Sequence, residues 1–190
     1  DHAAPQSQAM RRALALCACL ALAACVSVPP QPQPYQAQAE DLRLSGRLSV
    51  QVAALNGARA QGGNAGFELQ GSAKAGQLEL STPLGSLLAR ARWSGSEVLL
   101  QTPSDERRFD DLDALTRELL GEAIPIAAMF DWLMGRPWPQ AAHLRRPGDE
   151  AGFRQLGWEV DLSRYEEGLI LARRSTEPEA TLRVRLDPKP

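Results

Sequence analysis

The sequence predicts a mainly β protein, an antiparallel sheet or open barrel with two helices laid against one face. Three observations carry this. Runs of strict apolar/polar alternation open the body of the chain and return at its end. Two stretches of helical spacing lie between them. Strands and helices do not alternate one by one, as a parallel sheet would require.

The elements follow in order. Leu42, Leu44, Leu48, Val50 and Val52 share one parity, and Arg43, Ser45, Arg47, Ser49 and Gln51 the other, which describes a half-buried strand. Gly46 on the apolar parity suggests a bend or bulge. Residues 53–65, rich in Ala, Gly and Asn, read as a loop. Phe67 and Leu69 begin a second strand, residues 73–76 turn, and Leu78 and Leu80 mark a third. Ala89, Ala91 and Trp93 alternate with Leu88, Arg90 and Arg92 in a fourth; residues 97–102 and 107–109 supply two more. Leu112, Leu115 and Leu119 place a helix over 110–120, capped by Asp110 or Asp111 and stopped by Gly121. Pro125 opens a second helix and Gly135 closes it. That helix is apolar almost all round, so it should be buried. Residues 136–149 read as a Pro-containing connector. Leu156, Trp158, Val160 and Leu162 then alternate in one strand, followed by strands at 169–173 and 182–186 with a turn at 177–179.

The first 40 residues read as an address. Met10, Arg11 and Arg12 precede an unbroken apolar run from Ala13 to Ala24, and small residues lead into Cys25. This is the pattern of a secretory signal, too short to span a bilayer. Leu22-Ala23-Ala24-Cys25 resembles the bacterial lipobox, in which the Cys is lipidated and becomes the first mature residue. Residues 1–9 read as lying upstream of the true start. The expected organisation is therefore 1–24 upstream residues and signal peptide, 25–39 lipidated Cys and Pro/Gln-rich tether, and 40–190 a single domain. Cys17 and Cys19 leave with the signal, so no disulfide is expected. Val26 stands where inner-membrane retention signals have Asp, which by the same resemblance favours the outer membrane. Residues 26–39 read as an extended polyproline-like tether.

Composition excludes more than it affirms. The 190 residues carry a net charge of −2, with Lys only at Lys74 and Lys189, so no nucleic-acid partner is expected. Two histidines and three cysteines leave little for zinc, and no metal or cofactor is expected. His143, beside Arg145 and Arg146, lacks any accompanying nucleophile motif. Asp110, Asp111 and Asp113 sit where helix capping uses carboxylates, and Glu166-Glu167 where a turn does. No enzyme is expected.

One loop stands out. In Ser81-Thr82-Pro83-Leu84-Gly85-Ser86, Pro and Gly force a turn with Leu84 at its tip. Such a leucine either folds back on the core or contacts a membrane or partner. The arrangement resembles the LolB family of outer-membrane lipoproteins from about Leu42 to Leu186. The matching stretches are Leu44-Ser-Gly46-Arg47, Phe67, Leu80-Ser-Thr-Pro83-Leu84-Gly85-Ser86, Leu119-Leu-Gly121 and Ile124-Pro125-Ile126. They continue with Trp132-Leu-Met-Gly135-Arg136-Pro137 and Phe153-Arg-Gln155-Leu-Gly157-Trp158-Glu-Val160. Leu69 departs from the family, which often has Trp there. The related periplasmic carrier LolA lacks the lipidated Cys, so Cys25 favours the receptor.

The resemblance implies a LolA/LolB-like half-barrel with a helical plug and a monomer that is lipid-anchored on the periplasmic face of the outer membrane. It would accept acylated lipoproteins from LolA and insert them among outer-membrane phospholipid. Its lipid anchor would include palmitate. Pro83, Leu84 and Gly85 would form the membrane insertion loop. The acyl-chain cavity would be lined by Leu48, Val50, Phe67, Leu78, Leu80, Trp93, Ile126, Phe130, Leu133, Trp158 and Val160, each of which is equally a plain core residue. The alternative is a structural or assembly lipoprotein that binds an envelope protein and carries no acyl cargo.

Overall fold

The computed structural model describes residues 42–188 apart from residues 58, 96 and 121. The signal segment, Cys25, the tether and the helix stop expected at Gly121 lie outside the described residues. The elements are β1 (Leu42–Val52), β2 (Gln61–Gly71), β3 (Ala75–Ser81), β4 (Leu87–Ser94), β5 (Glu97–Gln101) and β6 (Glu106–Phe109). Then come α1 (Leu112–Leu120), α2 (Ile126–Trp132), β7 (His143–Arg145), β8 (Gly152–Gln155), β9 (Trp158–Asp161), β10 (Leu169–Arg174) and β11 (Ala180–Leu186). The strands form one sheet in the order β6-β5-β4-β3-β2-β1-β11-β10-β9-β8-β7. All pairings are antiparallel. β6 and β7 are its edges, so the sheet is open, as the alternation of the sequence predicts.

The first and last strands pair in the middle of the sheet, Gly46 to Val52 against Leu186 to Ala180. The described residues thus supply both halves of the core, and a chain beginning at residue 26 keeps every strand. Period two sends Val52, Phe67, Leu69, Trp93, Val160, Ile170 and Val184 inward, where all are buried. α2 fills the space they enclose. Ala128 and Phe130 are buried on it, and Phe130 meets Trp93 edge-on at 5.9 Å. Trp132, at 2% exposure, lies 6.3 Å from both Phe153 and Trp158. α1 leans on β5, β6 and α2. Its start is capped as expected, by Asp111, whose Oδ1 accepts the Ala114 N–H at 2.6 Å.

A single amide ties the plug down. Gln155 is buried on β8. Its Oε1 accepts from Trp132 Nε1 and from the Trp138 N–H, both at 2.8 Å. Its Nε2 donates to the carbonyls of Trp138 and Ala141, also at 2.8 Å. Every polar valence it offers inside the protein is used, so it can be buried without penalty.

The structure corrects four local expectations. Residues 61–65 are strand rather than loop, because their backbone completes the ladder beside β1 from Arg47 to Val52. Gly46 makes no bulge, since the register runs unbroken through it. It is glycine because β11 comes close: a Cβ there would stand 2.0 Å from the Arg185 carbonyl oxygen. The 136–149 connector contains β7, which places His143 on an edge strand. Leu156 does not begin a strand. Leu156-Gly157 is the turn of the β8–β9 hairpin, with φ of +53° and +78°, a conformation favoured in two-residue hairpins.

Two stability changes follow. Gln155→Leu should cost about 2–4 kcal/mol, because it strands two donors and two acceptors around the plug; urea denaturation measures it. Leu156→Asn should stabilise by about 1 kcal/mol, since Leu is strained at positive φ and Asn tolerates it. A midpoint that falls in this second variant would contradict the strain.

Candidate functional site

The β3–β4 loop is held tightly. The Gly85 N–H donates to the Thr82 carbonyl at 2.9 Å, closing a turn with Pro83 and Leu84 at its corners. The Thr82 N–H donates to the Ser86 carbonyl at 2.8 Å, and the Ser86 N–H to Thr82 Oγ1 at 3.1 Å. Pro83 presets the first corner, and Gly85 takes φ +85°, which only glycine adopts freely. These constraints leave Leu84 95% exposed. It does not fold back on the core. Leu88, on the same hairpin, is exposed as well.

The residues expected to line a cavity fall into two groups. Phe67, Trp93, Ile126, Phe130, Leu133, Trp158 and Val160 are all buried and packed around α2. Leu48, Val50, Leu78 and Leu80 are half-buried against that cluster. Leu80 belongs to a cross-strand row running Ala89, Leu80, Phe67, Gly46, Leu186. Leu48 lies in the next row, beside Ala65 and Val184. The apolar inner face is therefore filled at its centre by α2. In the rows nearest the Leu84 loop cover is partial: Gly46, Phe67 and Val184 are buried, while Leu48, Ala65, Leu80 and Ala89 are half-buried. The sequence reading overlooked Gln155 as a structural residue, since a single Gln on a short strand carries no periodic signal.

Two surface cavities have other linings. One, of about 530 Å³, lies at the β1–β2 hairpin and includes Val50. The larger, of about 860 Å³, includes Leu48. It crosses the sheet from Thr82, Pro83 and Gly85 to Ser163 and Arg164. The inward residues of its strands, Ile170 and Val184, are buried, while Arg47, Arg183 and Arg185 are exposed. It is thus a groove on the outer face.

At the far end of that groove, burial alone would raise the Asp161 carboxyl. The Ser163 backbone and side chain and the Arg146 guanidinium more than offset this and hold it below the usual carboxylate range. The Ser163 N–H donates to Asp161 Oδ1 at 2.9 Å, and Arg146 Nη1 stands 3.2 Å from the same oxygen. Glu167 is lowered too, chiefly by its hydrogen bond from Arg164.

Among the described residues no group of His, Cys, Asp and Glu is placed to hold a metal, and no helix is long and apolar enough to cross a membrane. Fold and site together define a class: an open antiparallel half-barrel, filled by a short apolar helix, that displays one bare leucine on a rigid loop. The family model described as "Outer membrane lipoprotein LolB" matches residues 40–187. The outer-membrane lipoprotein LolB of Bordetella petrii is 34% identical over 149 residues, covering 74% of this chain and 74% of that protein. That of Bordetella pertussis is 34% identical over 150 residues, with 74% of each covered. That of Cupriavidus necator is 31% identical over 143 residues, with 69% of this chain and 72% of that protein covered. The chain belongs to the LolB family of outer-membrane lipoproteins.

A lowered carboxyl contributes stability above its unfolded value, and that stability is lost as pH falls through the folded one. The domain should therefore weaken on acidification below about pH 4, and Asp161→Asn should flatten that acid limb. Parallel pH–stability curves for the two proteins would show that Asp161 contributes nothing.

Proposed function

We propose that this chain is a lipid-anchored receptor on the periplasmic face of the outer membrane. It takes acylated lipoproteins from the periplasmic carrier LolA and inserts them into the outer membrane. Family membership supports the coarse role, and the relatives are named as outer-membrane lipoproteins. The observation that carries the finer reading is Leu84, fully bared on a braced turn beside the half-covered end of an apolar half-barrel.

The physics is transfer by difference of affinity, with no catalysis. Each methylene of an acyl chain costs about 0.8 kcal/mol in water, so a carrier or receptor must enclose the chain in apolar surface. In this reading Leu48, Val50, Leu78 and Leu80 meet the chain first. Deeper entry reaches Phe67, Trp93, Trp158 and Val160 as α2, with Ile126, Phe130 and Leu133, gives way. Cys25 carries the anchor, and Pro83 and Gly85 hold Leu84 for entry into the bilayer. Binding as a monomer suffices.

The filled interior favours a second reading, an assembly lipoprotein without acyl cargo. One experiment separates the two. Carrier loaded with radiolabelled lipoprotein is mixed with residues 26–190, and the complexes are separated. Label moving to this protein supports the receptor; a folded protein that takes none overturns it in favour of assembly. In the full lipoprotein, Leu84→Glu should leave folding and cargo acceptance intact and reduce delivery into outer-membrane vesicles. Normal delivery by that variant would remove the loop from the mechanism.

A further inference from the structure

The outer face carries a charge arrangement that the receptor reading does not use. Arg47 on β1 and Arg185 on β11 stand directly opposite each other in the ladder. Arg183, the next outward position on β11, stands opposite Ser49. All three arginines are exposed and line the 860 Å³ groove. Like charges opposed across a ladder are destabilising. Other strands pair some of their arginines, Arg90 with Glu79 at 2.7 Å, Arg154 with Glu159 at 2.9 Å, and Arg174 with Glu122 at 3.1 Å, and leave others single, but Arg47 and Arg185 are unpaired and directly opposed. Among the described residues, Arg47, Arg183 and Arg185 make no ion pair. Two carboxylates share the lining, Asp161, which is paired with Arg146, and Asp187, which accepts from the Ser45 hydroxyl at 2.9 Å. Glu167 is paired with Arg164 and also feels the charge of Arg185, so the three arginines still outnumber the one lining carboxylate that has no cation of its own.

The groove begins at Pro83 and Gly85, the base of the Leu84 tip, and its floor is kept low by Ser49 and Gly66. From Ser81 to Leu169 it crosses five strands, roughly 19 Å at sheet spacing. We propose that this groove seats the phosphate headgroups of anionic phospholipids and so sets the protein on the bilayer with Leu84 inserted. The inference rests on the reading of Leu84 as a membrane contact. An apolar side chain beside a row of cations is the arrangement of an interfacial anchor, one part reaching acyl chains and the other the phosphates. Arginine suits that role because its planar fork grips phosphate oxygens in pairs. The cost of opposing Arg47 and Arg185 is relieved when the anionic surface arrives.

The test is vesicle flotation with residues 26–190. Wild type should float with vesicles of phosphatidylcholine and phosphatidylglycerol, less with phosphatidylcholine alone, and less as salt rises. The triple variant Arg47→Gln/Arg183→Gln/Arg185→Gln should partition onto the anionic vesicles about a hundredfold more weakly, at roughly fivefold per arginine. Its thermal midpoint should equal or exceed wild type, because the repulsion is gone. Arg145→Gln, which removes an exposed and unpaired arginine on β7, should float as wild type does. Equal flotation of triple variant and wild type would overturn the groove, as would an equal loss in Arg145→Gln. Displacement from vesicles by inorganic phosphate beyond that by chloride of the same ionic strength would assign the groove to a free anion. Unchanged flotation with lost acceptance from the carrier would assign it to an acidic protein partner. The carrier assay without vesicles keeps the two readings apart. Failure of wild type there defeats the receptor function, whereas failure of flotation alone defeats only the groove.

Discussion

An open sheet leaves the apolar half of every strand in need of cover, and a seven-residue helix meets most of that need here. α2 is too short to be stable alone. It exists because Phe130 and Trp132 are seated among Trp93, Phe153 and Trp158. It holds its place through hydrogen bonds at its C-terminal end. Gln155 binds Trp132 Nε1, and the Tyr165 hydroxyl donates to the Leu133 carbonyl at 3.2 Å. At the N-terminal end Pro125 makes no side-chain cap, and the hold comes from the packing of Ile126 and from a buried bond just before it, the Ile124 N–H donating to Thr116 Oγ1 at 3.0 Å. The plug is thus fastened at both ends, to β8 and the segment after β9 at one and to α1 at the other.

How the plug is held matters for a protein proposed to take up acyl chains. The interior is already packed around α2, so cargo and helix are competing fillings of one apolar space. A sixteen-carbon chain gains on the order of 12 kcal/mol by leaving water, comparable with what burial of a few large side chains supplies. An exchange between fillings of similar worth is reversible, and a receptor that must release its cargo needs that. An empty preformed cavity would bind more tightly and deliver less readily. The rigid parts lie elsewhere. β1 and β11 form the middle of the sheet, and the Leu84 turn is closed by three hydrogen bonds.

Much of this was legible in the sequence where a local rule applied. The alternation in Leu42–Val52 returned as β1, the apolar run after Pro125 as a buried helix, and the Pro-Leu-Gly turn as a bare leucine. The failures have equally physical causes. Residues 61–65 lack side chains of strand character, and their strand is imposed by the neighbouring backbone. Leu156 matched the parity of Trp158 and Val160 by chance, across a turn where glycine or asparagine is usual. Gln155 acquires its role only when Trp132, Trp138 and Ala141 converge on it from a different stretch of chain. The arginine groove was invisible for the same reason. Arg47 and Arg185 meet through the pairing of the first strand with the last, and no window of sequence contains both.

That pairing also explains how one thin sheet can address two parts of a lipid. Along β1, Gly46 and Leu48 face the apolar interior while Arg47 and Ser49 face the groove. Along β11, Val184 is buried while Arg183 and Arg185 are exposed. Period two places acyl-compatible and phosphate-compatible surfaces back to back on the same two strands, one sheet thickness apart. Both surfaces adjoin the β3–β4 loop, Leu80 on the inside and Gly66 on the outside. A bilayer contact at Leu84 would therefore bring headgroups to one face at the point where the other face is least covered. The opposed arginines, costly in the isolated fold, make physical sense as a charge kept in reserve for that encounter.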